Sequence, residues 1–325
     1  MGCLLDVHAD DARVLARMAE DIRRGLTASP RQLPPKYFYD ETGSALFERI
    51  TELPEYYLTR AEDAILRDIA EDLARQLGPS DIVELGPGAC RKVRWLLDAL
   101  ADGRDVRYVA MDVGREGLAR AVGALADEYP HMHLHAVVAD FERHLGCLPP
   151  PIGRRLVLFL GSTIGNFDPP ARHALLAQVR RLLGSEGRFL LGVDLVKDRR
   201  VLEAAYDDAA GVTREFNRNI LRVVNRAVDG DFVPEAWRHH SFYNTEASRI
   251  EMHLLAAAPQ RVRLRALGLV LDFDVGDGIW TESSYKFTRE SVSLMLGDAG
   301  LVLDEWQTDP EDHFGLALAR PRERT

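Results

Sequence analysis

DIVELGPGACRKVRWLLDAL, residues 81–100, sets an apolar run against a two-glycine turn and then a segment with apolar residues at helical spacing. A strand, a tight turn and a helix in that order open a βαβ unit. The turn itself, VELGPGACR at 83–91, starts like the dinucleotide fingerprint G-x-G-x-x-G, with Gly86 and Gly88 in the first two positions and Arg91 in the third. The same alternation repeats outward through VRYVAMDV, REGLARAVGALADEY, HLHAVVADF, RRLVLFLGS, ARHALLAQVRRLL and RFLLGVDL. Strands apolar nearly throughout, separated by amphipathic helices, belong to a parallel sheet covered on both faces. The expected fold is therefore α/β, a doubly wound, mostly parallel sheet.

From about Arg200 to Lys286 this rhythm breaks: YDDAAGVTREFNRNILRVVNR reads as helical, and RVRLRALGLVLDFDV alternates with period two. That alternation argues for antiparallel strands with one solvated face, in an inserted α+β domain. The α/β pattern resumes with a helix, RESVSLMLGDAG, ending at Gly300, and strands LVLDEWQT and FGLALAR. Residues 1–60 read as helical segments interrupted by a loop rich in proline and aromatics. The expected division assigns 1–60 and 200–286 to one domain and 61–199 and 287–325 to the core.

With 325 residues, of which 46% are hydrophobic and 28% charged, the chain can bury the core of one elaborate domain or two ordinary ones. A net charge of −10 lacks the electrostatic footprint of a nucleic-acid binder, so no such partner is expected. Cys3, Cys90 and Cys147 form neither a CxxC pair nor an even disulfide framework, which suits a reducing compartment. The start, MGCLLDVHADD, has no basic region or long apolar run, and Asp6 stands where a myristoylation signal needs Ser or Thr. No apolar stretch approaches a membrane span, and a cytoplasmic location without membrane contact is the expectation. Protein partners are not indicated.

In a doubly wound sheet ligands bind at the carboxyl ends of the strands, where the first turn lies. Arg91 in place of the third glycine weakens a pyrophosphate reading. Glu84, just before the turn, favours a cationic ligand. S-adenosyl-L-methionine meets both demands, having an adenosyl group, no phosphate, and sulfonium and ammonium charges. Asp112, ending VAMDV, can accept from ribose hydroxyls, and Asp140 and Phe141 offer a polar contact and an apolar face for adenine. Taken singly, Glu84 also fits a cap or loop ion pair, and Asp112 a solvated turn.

Longer strings carry a resemblance. LPPKYFYDETGSALFERITELPEYYLTRAE at 33–62, LFLGSTIGNF at 158–167, DLVKDRR at 194–200, YDDAAGVTREFNRNIL at 206–221 and TESSYKF at 281–287 resemble the ergothioneine-pathway histidine Nα-methyltransferases. The resemblance implies a class I methyltransferase core with a separate substrate-binding domain, which trimethylates the α-amino group of free L-histidine to hercynine. Three molecules of S-adenosylmethionine would become S-adenosyl-L-homocysteine. It implies cofactor contacts at Gly86, Lys92, Asp112, Asp140 and Phe141, beside which Glu84 and Gly88 stand as candidates from the loop itself. For histidine it implies Tyr56, Asn166, Tyr206, Glu282 and Ser284, with Tyr39 nearby. The first loop departs from the family pattern: GPGACRK stands where small polar residues are more usual before the lysine.

These residue types suit the chemistry. TESSYKF reads as a strand, which puts Glu282 and Ser284 on one face. A carboxylate accepts an imidazole N–H, and a hydroxyl can serve the other ring nitrogen. The amide of Asn166 can serve both the amino and carboxylate groups of an amino acid. Taken without the resemblance, TESS also fits a solvated strand, Asn166 a glycine turn, and the tyrosines a core. The sulfonium already activates the methyl group, so alignment is the protein's task, falling to Asn166 and Tyr39, and no bond-making catalytic residue is expected. An α-amino pKa of about 7.7 to 8.0 leaves a neutral fraction without a dedicated base. Tyr39 and Phe47 can face the growing cationic charge.

His131, His133 and His135 of HMHLH could share a strand face, but no cysteine or carboxylate pattern joins them, and no metal is expected. His239 and His240 read as part of a polar, loop-like segment. Rival readings are a methyltransferase for another amino acid or biogenic amine, a nonenzymatic S-adenosylmethionine-binding regulator, and a nicotinamide oxidoreductase, the last disfavoured by Arg91 and Glu84.

Overall fold

A computed structural model describes residues 4–8, 11–101 and 105–323, so Cys3 lies outside the described residues. The strands run β1 (Leu4–Val7), β2 (Asp81–Leu85), β3 (Arg107–Asp112), β4 (His133–Val138), β5 (Arg155–Phe159) and β6 (Arg188–Asp194). They continue as β7 (Trp237–Asn244), β8 (Arg249–Ala256), β9 (Gln260–Leu264), β10 (Leu269–Phe273) and β11 (Gly278–Tyr285), then β12 (Leu301–Thr308) and β13 (Phe314–Pro321). Two compact units divide the chain. One takes the described residues of Met1–Ala9, Leu58–Val196 and Lys286–Thr325, the other those of Asp10–Tyr57 and Lys197–Tyr285.

The first unit is built on an eight-stranded sheet in the order β1-β4-β3-β2-β5-β6-β13-β12. Strands β1 to β6 are parallel, and β13 runs antiparallel to both β6 and β12. DIVEL and RLVLF are buried at every position because both faces are covered, which is why they carry no polar alternation. The order reverses between β2 and β5, so the turn after β2 opens at the switch point where such sheets bind ligands. The sequence reading placed helical segments ahead of the core; instead LLDV forms β1, pairing with β4 at the sheet edge. Four residues, none of them buried, carry too little periodicity to identify a strand.

The second unit holds helices Asp11–Thr27, Glu41–Thr51, Arg199–Tyr206 and Val212–Val228, a β11-β8-β7 sheet and a β10-β9 hairpin. In the hairpin Val262, Leu264, Leu271 and Phe273 are buried while Arg261, Arg263 and Asp272 are exposed, as period-two alternation requires. Gly268, at φ +61°, makes the left-handed turn between them. On β11 the register against β8 shifts between Trp280 and Glu282, leaving Thr281 as an extra residue. This bulge keeps Glu282 and Ser284 together while turning Trp280 and Tyr285 to the other side, where the Arg249 guanidinium lies over both rings. Among the described residues no helix is long and apolar enough to cross a membrane.

Candidate functional site

The turn after β2 is held open by backbone conformation. Gly86, Gly88 and Cys90 have φ of +67°, +54° and +52°. The first two are conformations that glycine adopts freely, and Cys90 holds the third under strain. Gly86 donates its N–H to the Met111 carbonyl at 2.9 Å, tying the turn to β3. A side chain at Gly86 would meet the Phe141 ring at 3.6 Å, whereas beside Gly88 there is open space. Phe141 in turn packs edge-on against Phe159 at 5.4 Å and lies 6.2 Å from Phe167, forming an aromatic wall along this edge.

The acids divide into three roles. Asp140 caps the helix Phe141–His144, accepting from the Glu142 N–H at 2.9 Å. Asp112 accepts from Gly114 at 2.9 Å. Burial pushes its carboxyl up from the ordinary value, and the backbone N–H groups of Gly114, Gly88 and Val113 oppose that rise. Glu84 lies beneath the turn, 3% exposed, accepting from the Tyr108 hydroxyl at 2.6 Å. Burial drives it up to about 7, against the opposing hydrogen bond from Tyr108. The adjacent Cys90 thiol is pushed up to about 12, chiefly by burial, and is an unreactive packing group.

Lys92 forms an ion pair with Glu62, whose carboxylate also accepts the Gly161 N–H at 2.8 and 3.0 Å. Glu62 is fully buried. It links the glycine turn to the GSTIGN turn after β5, and sequence reasoning missed it because RAEDAIL looks like an ordinary helix surface. Gly161 and Ser162 have φ of +73° and +56°, and the Ser162 hydroxyl accepts from the Asp194 N–H at 2.8 Å. The half-buried Asn166 ends this doubly pinned turn.

In the second unit the aromatic side chains converge. Tyr39 packs edge-on against Phe47 at 5.6 Å, Phe47 against Tyr56 at 6.1 Å, and Tyr56 against Tyr206 at 6.5 Å. Phe216, not singled out in the sequence, lies within 6.0 Å of both Tyr39 and Phe47. The Tyr206 and Ser284 hydroxyls are 2.8 Å apart, and Glu282 is 9% exposed on the same face as Ser284. His239 corrects the loop reading: it is on β7 and buried, and burial lowers its pKa. Its polar neighbours made HHSFYN look like a loop, but alternate residues face opposite sides of a sheet. Of the histidine triplet, His133 pairs with Asp105 and His135 with Asp6, each at 2.9 Å.

The glycine turn offers what a nucleoside cofactor without phosphates needs: open space at Gly88, an aromatic face at Phe141, an acceptor at Asp112 and buried acid at Glu84. A doubly wound sheet carrying that turn at its switch point suits an S-adenosylmethionine-dependent methyltransferase, the class to which the family match assigns the chain. The family model described as "Histidine-specific methyltransferase, SAM-dependent" matches residues 18–321, and the chain belongs to that family. It is 48% identical over 312 residues to the histidine N-alpha-methyltransferase of Mycolicibacterium smegmatis, covering 96% of each chain. With the protein of the same name from Mycobacterium tuberculosis it shares 46% identity over 311 residues, 95% of this chain and 96% of that one. It also matches ergothioneine biosynthesis protein 1 of Neurospora crassa at 36% identity, over 89% of this chain and 33% of the fungal protein.

Proposed function

We propose that the protein transfers methyl groups from S-adenosyl-L-methionine to the α-amino group of free L-histidine, forming hercynine as an early step of ergothioneine biosynthesis. The observation that carries this reading is the pairing of the Tyr206 and Ser284 hydroxyls at 2.8 Å, with buried Glu282 two residues before Ser284 on β11. An acid and a hydroxyl two residues apart on one strand face match the two nitrogens of an imidazole, one donating and one accepting. The names of the relatives point to the same substrate.

When bound, S-adenosylmethionine supplies an activated methyl group, and S-adenosyl-L-homocysteine remains. Gly86 and Gly88 would give the cofactor close backbone approach, Asp112 would accept from its ribose and Phe141 would offer an aromatic face to its adenine. Glu84, buried beneath the turn, and Asp140, at the end of β4, would offer polar contacts at the cofactor edge, and Lys92, held by Glu62, braces the turn. Glu282 and Ser284 grip the imidazole, Tyr56 and Tyr206 direct hydroxyls at the amino acid, and Asn166 serves its amino and carboxylate groups. The α-ammonium releases its proton to water before each transfer, since no general base is required at its ordinary acidity. Tyr39 and Phe47 then face a nitrogen whose positive charge becomes fixed at the third transfer. Incubation with S-adenosylmethionine and a panel of free amino acids, followed by mass spectrometry, tests the reading. Histidine gaining up to three methyl groups is expected; methylation of another amino acid in preference to histidine overturns it.

A further inference from the structure

Around Tyr206 runs a closed circuit of buried polar groups. Thr281, Asn217 and His239 are 1%, 0% and 7% exposed, and burying such groups costs stability unless each is hydrogen-bonded. Here each is. The Thr281 hydroxyl lies 2.7 Å from Asn217 Oδ1, and Asn217 Nδ2 lies 2.8 Å from His239 Nδ1 and 3.1 Å from the His253 carbonyl. His239 Nε2 is 2.9 Å from the Tyr206 carbonyl, and the Tyr206 hydroxyl returns to β11 at Ser284. The circuit thus leaves β11 at Thr281 and rejoins it at Ser284, enclosing Glu282.

Donor bookkeeping fixes the amide and ring orientations in the circuit, while the Thr281 hydroxyl is shared between Asn217 Oδ1 at 2.7 Å and the Met252 carbonyl at 3.0 Å, and either hydroxyl of the Tyr206–Ser284 pair can donate. The His253 carbonyl can only accept, so the amide nitrogen of Asn217 faces it and His239 Nδ1 together. That makes Nδ1 an acceptor and puts the ring proton on Nε2, where it meets the Tyr206 carbonyl. The hydroxyl of Thr281 reaches Asn217 because the bulge makes Thr281 the unpaired residue of β11.

We propose that Thr281, Asn217 and His239 are positioning residues for substrate selection, holding Tyr206 and the Glu282–Ser284 strand in the register that reads the imidazole. This rests on the assignment of L-histidine to these residues. His239 acts as a neutral Nε2–H ring and touches no substrate. The groups facing it besides the circuit are Asp207, 3.9 Å from Nε2, with His240 and Asp208 nearby.

The test compares Thr281→Val with Thr281→Ser. Thr281→Val raises the KM for L-histidine roughly tenfold, leaves the dissociation constant of S-adenosylmethionine within about twofold, and Thr281→Ser, which keeps the hydroxyl, recovers most of the loss. An unchanged histidine KM, a parallel loss of cofactor affinity, or a serine variant no better than valine overturns the proposal. Should Thr281→Val fail to fold, nitrogen-15 NMR of the wild-type protein decides. A His239 ring protonated only on Nε2 at about pH 6 to 8 is expected, and an Nδ1–H tautomer or an imidazolium overturns it. Wild-type protein that methylates some other amine contradicts the substrate reading while leaving this tautomer test intact.

Discussion

Around Gly86 the first unit offers chiefly backbone: open glycine conformations, strand ends and N–H groups, with a few acids and rings set against them. Around Ser284 the second unit offers chiefly side chains, joined in a buried hydrogen-bonded circuit. The first arrangement follows from a local run of sequence; the second exists only once two helices and three strands are assembled. Perturbing the two regions should therefore give separable losses, with cofactor affinity following the first and amino-acid selectivity the second.

The sharpest break comes from Glu282→Ala. It removes the carboxylate proposed to hydrogen-bond the imidazole ring and is expected to lower kcat/KM for histidine on the order of 1,000-fold, with cofactor affinity held within about twofold. Steady-state kinetics with calorimetric cofactor titration check the split; equal losses in both would merge the two regions.

Next is the pH response of the first unit. Glu84 moves from an ordinary value of 4.5 to about 7 because burial favours its neutral form. The folded protein thus keeps a proton that the unfolded chain has already released. Its contribution to stability is complete below 4.5 and is lost as pH rises through about 7. Unfolding measurements across that window should show a loss of about 3 kcal/mol from this group, which Glu84→Gln abolishes.

Glu62→Gln is expected to cost about 2 kcal/mol, because the amide can still accept from Gly161 but no longer balances Lys92. Denaturant unfolding measures it, and a loss of cofactor affinity without a change in histidine selectivity would sharpen the contrast. Smallest is Gly88→Ala, where nothing crowds the added methyl group and only the φ of +54° is penalised. About 1 kcal/mol of stability is the expected loss, read from the urea midpoint.

Legibility in sequence follows the same division. Apolar runs such as DIVEL and RLVLF announce buried parallel strands, and a two-glycine turn after the first announces the binding edge. The edge strand LLDV gives no such signal, since it is short and none of its residues is buried. His239 and His240 are neighbours of one residue type, yet only the sheet decides that the first is buried between a donor and an acceptor. TESSY reads as a regular strand, and nothing in its letters marks Thr281 as a bulge. Glu62 is one acid among several on a helix until the fold brings Lys92 and Gly161 to it. GSTIGN and TESS were legible as candidate substrate residues through family resemblance, because their meaning depends on partners distant in the chain.

The central claim is methylation of the α-nitrogen of histidine with the ring held by Glu282 and Ser284. Carbon-13 NMR of the product formed from methyl-labelled S-adenosylmethionine tests it most directly. The account requires all label on the α-nitrogen, accumulating to the trimethyl product, with both ring nitrogens unlabelled. Label on an imidazole nitrogen, or no labelled histidine from protein that binds the cofactor, would contradict it.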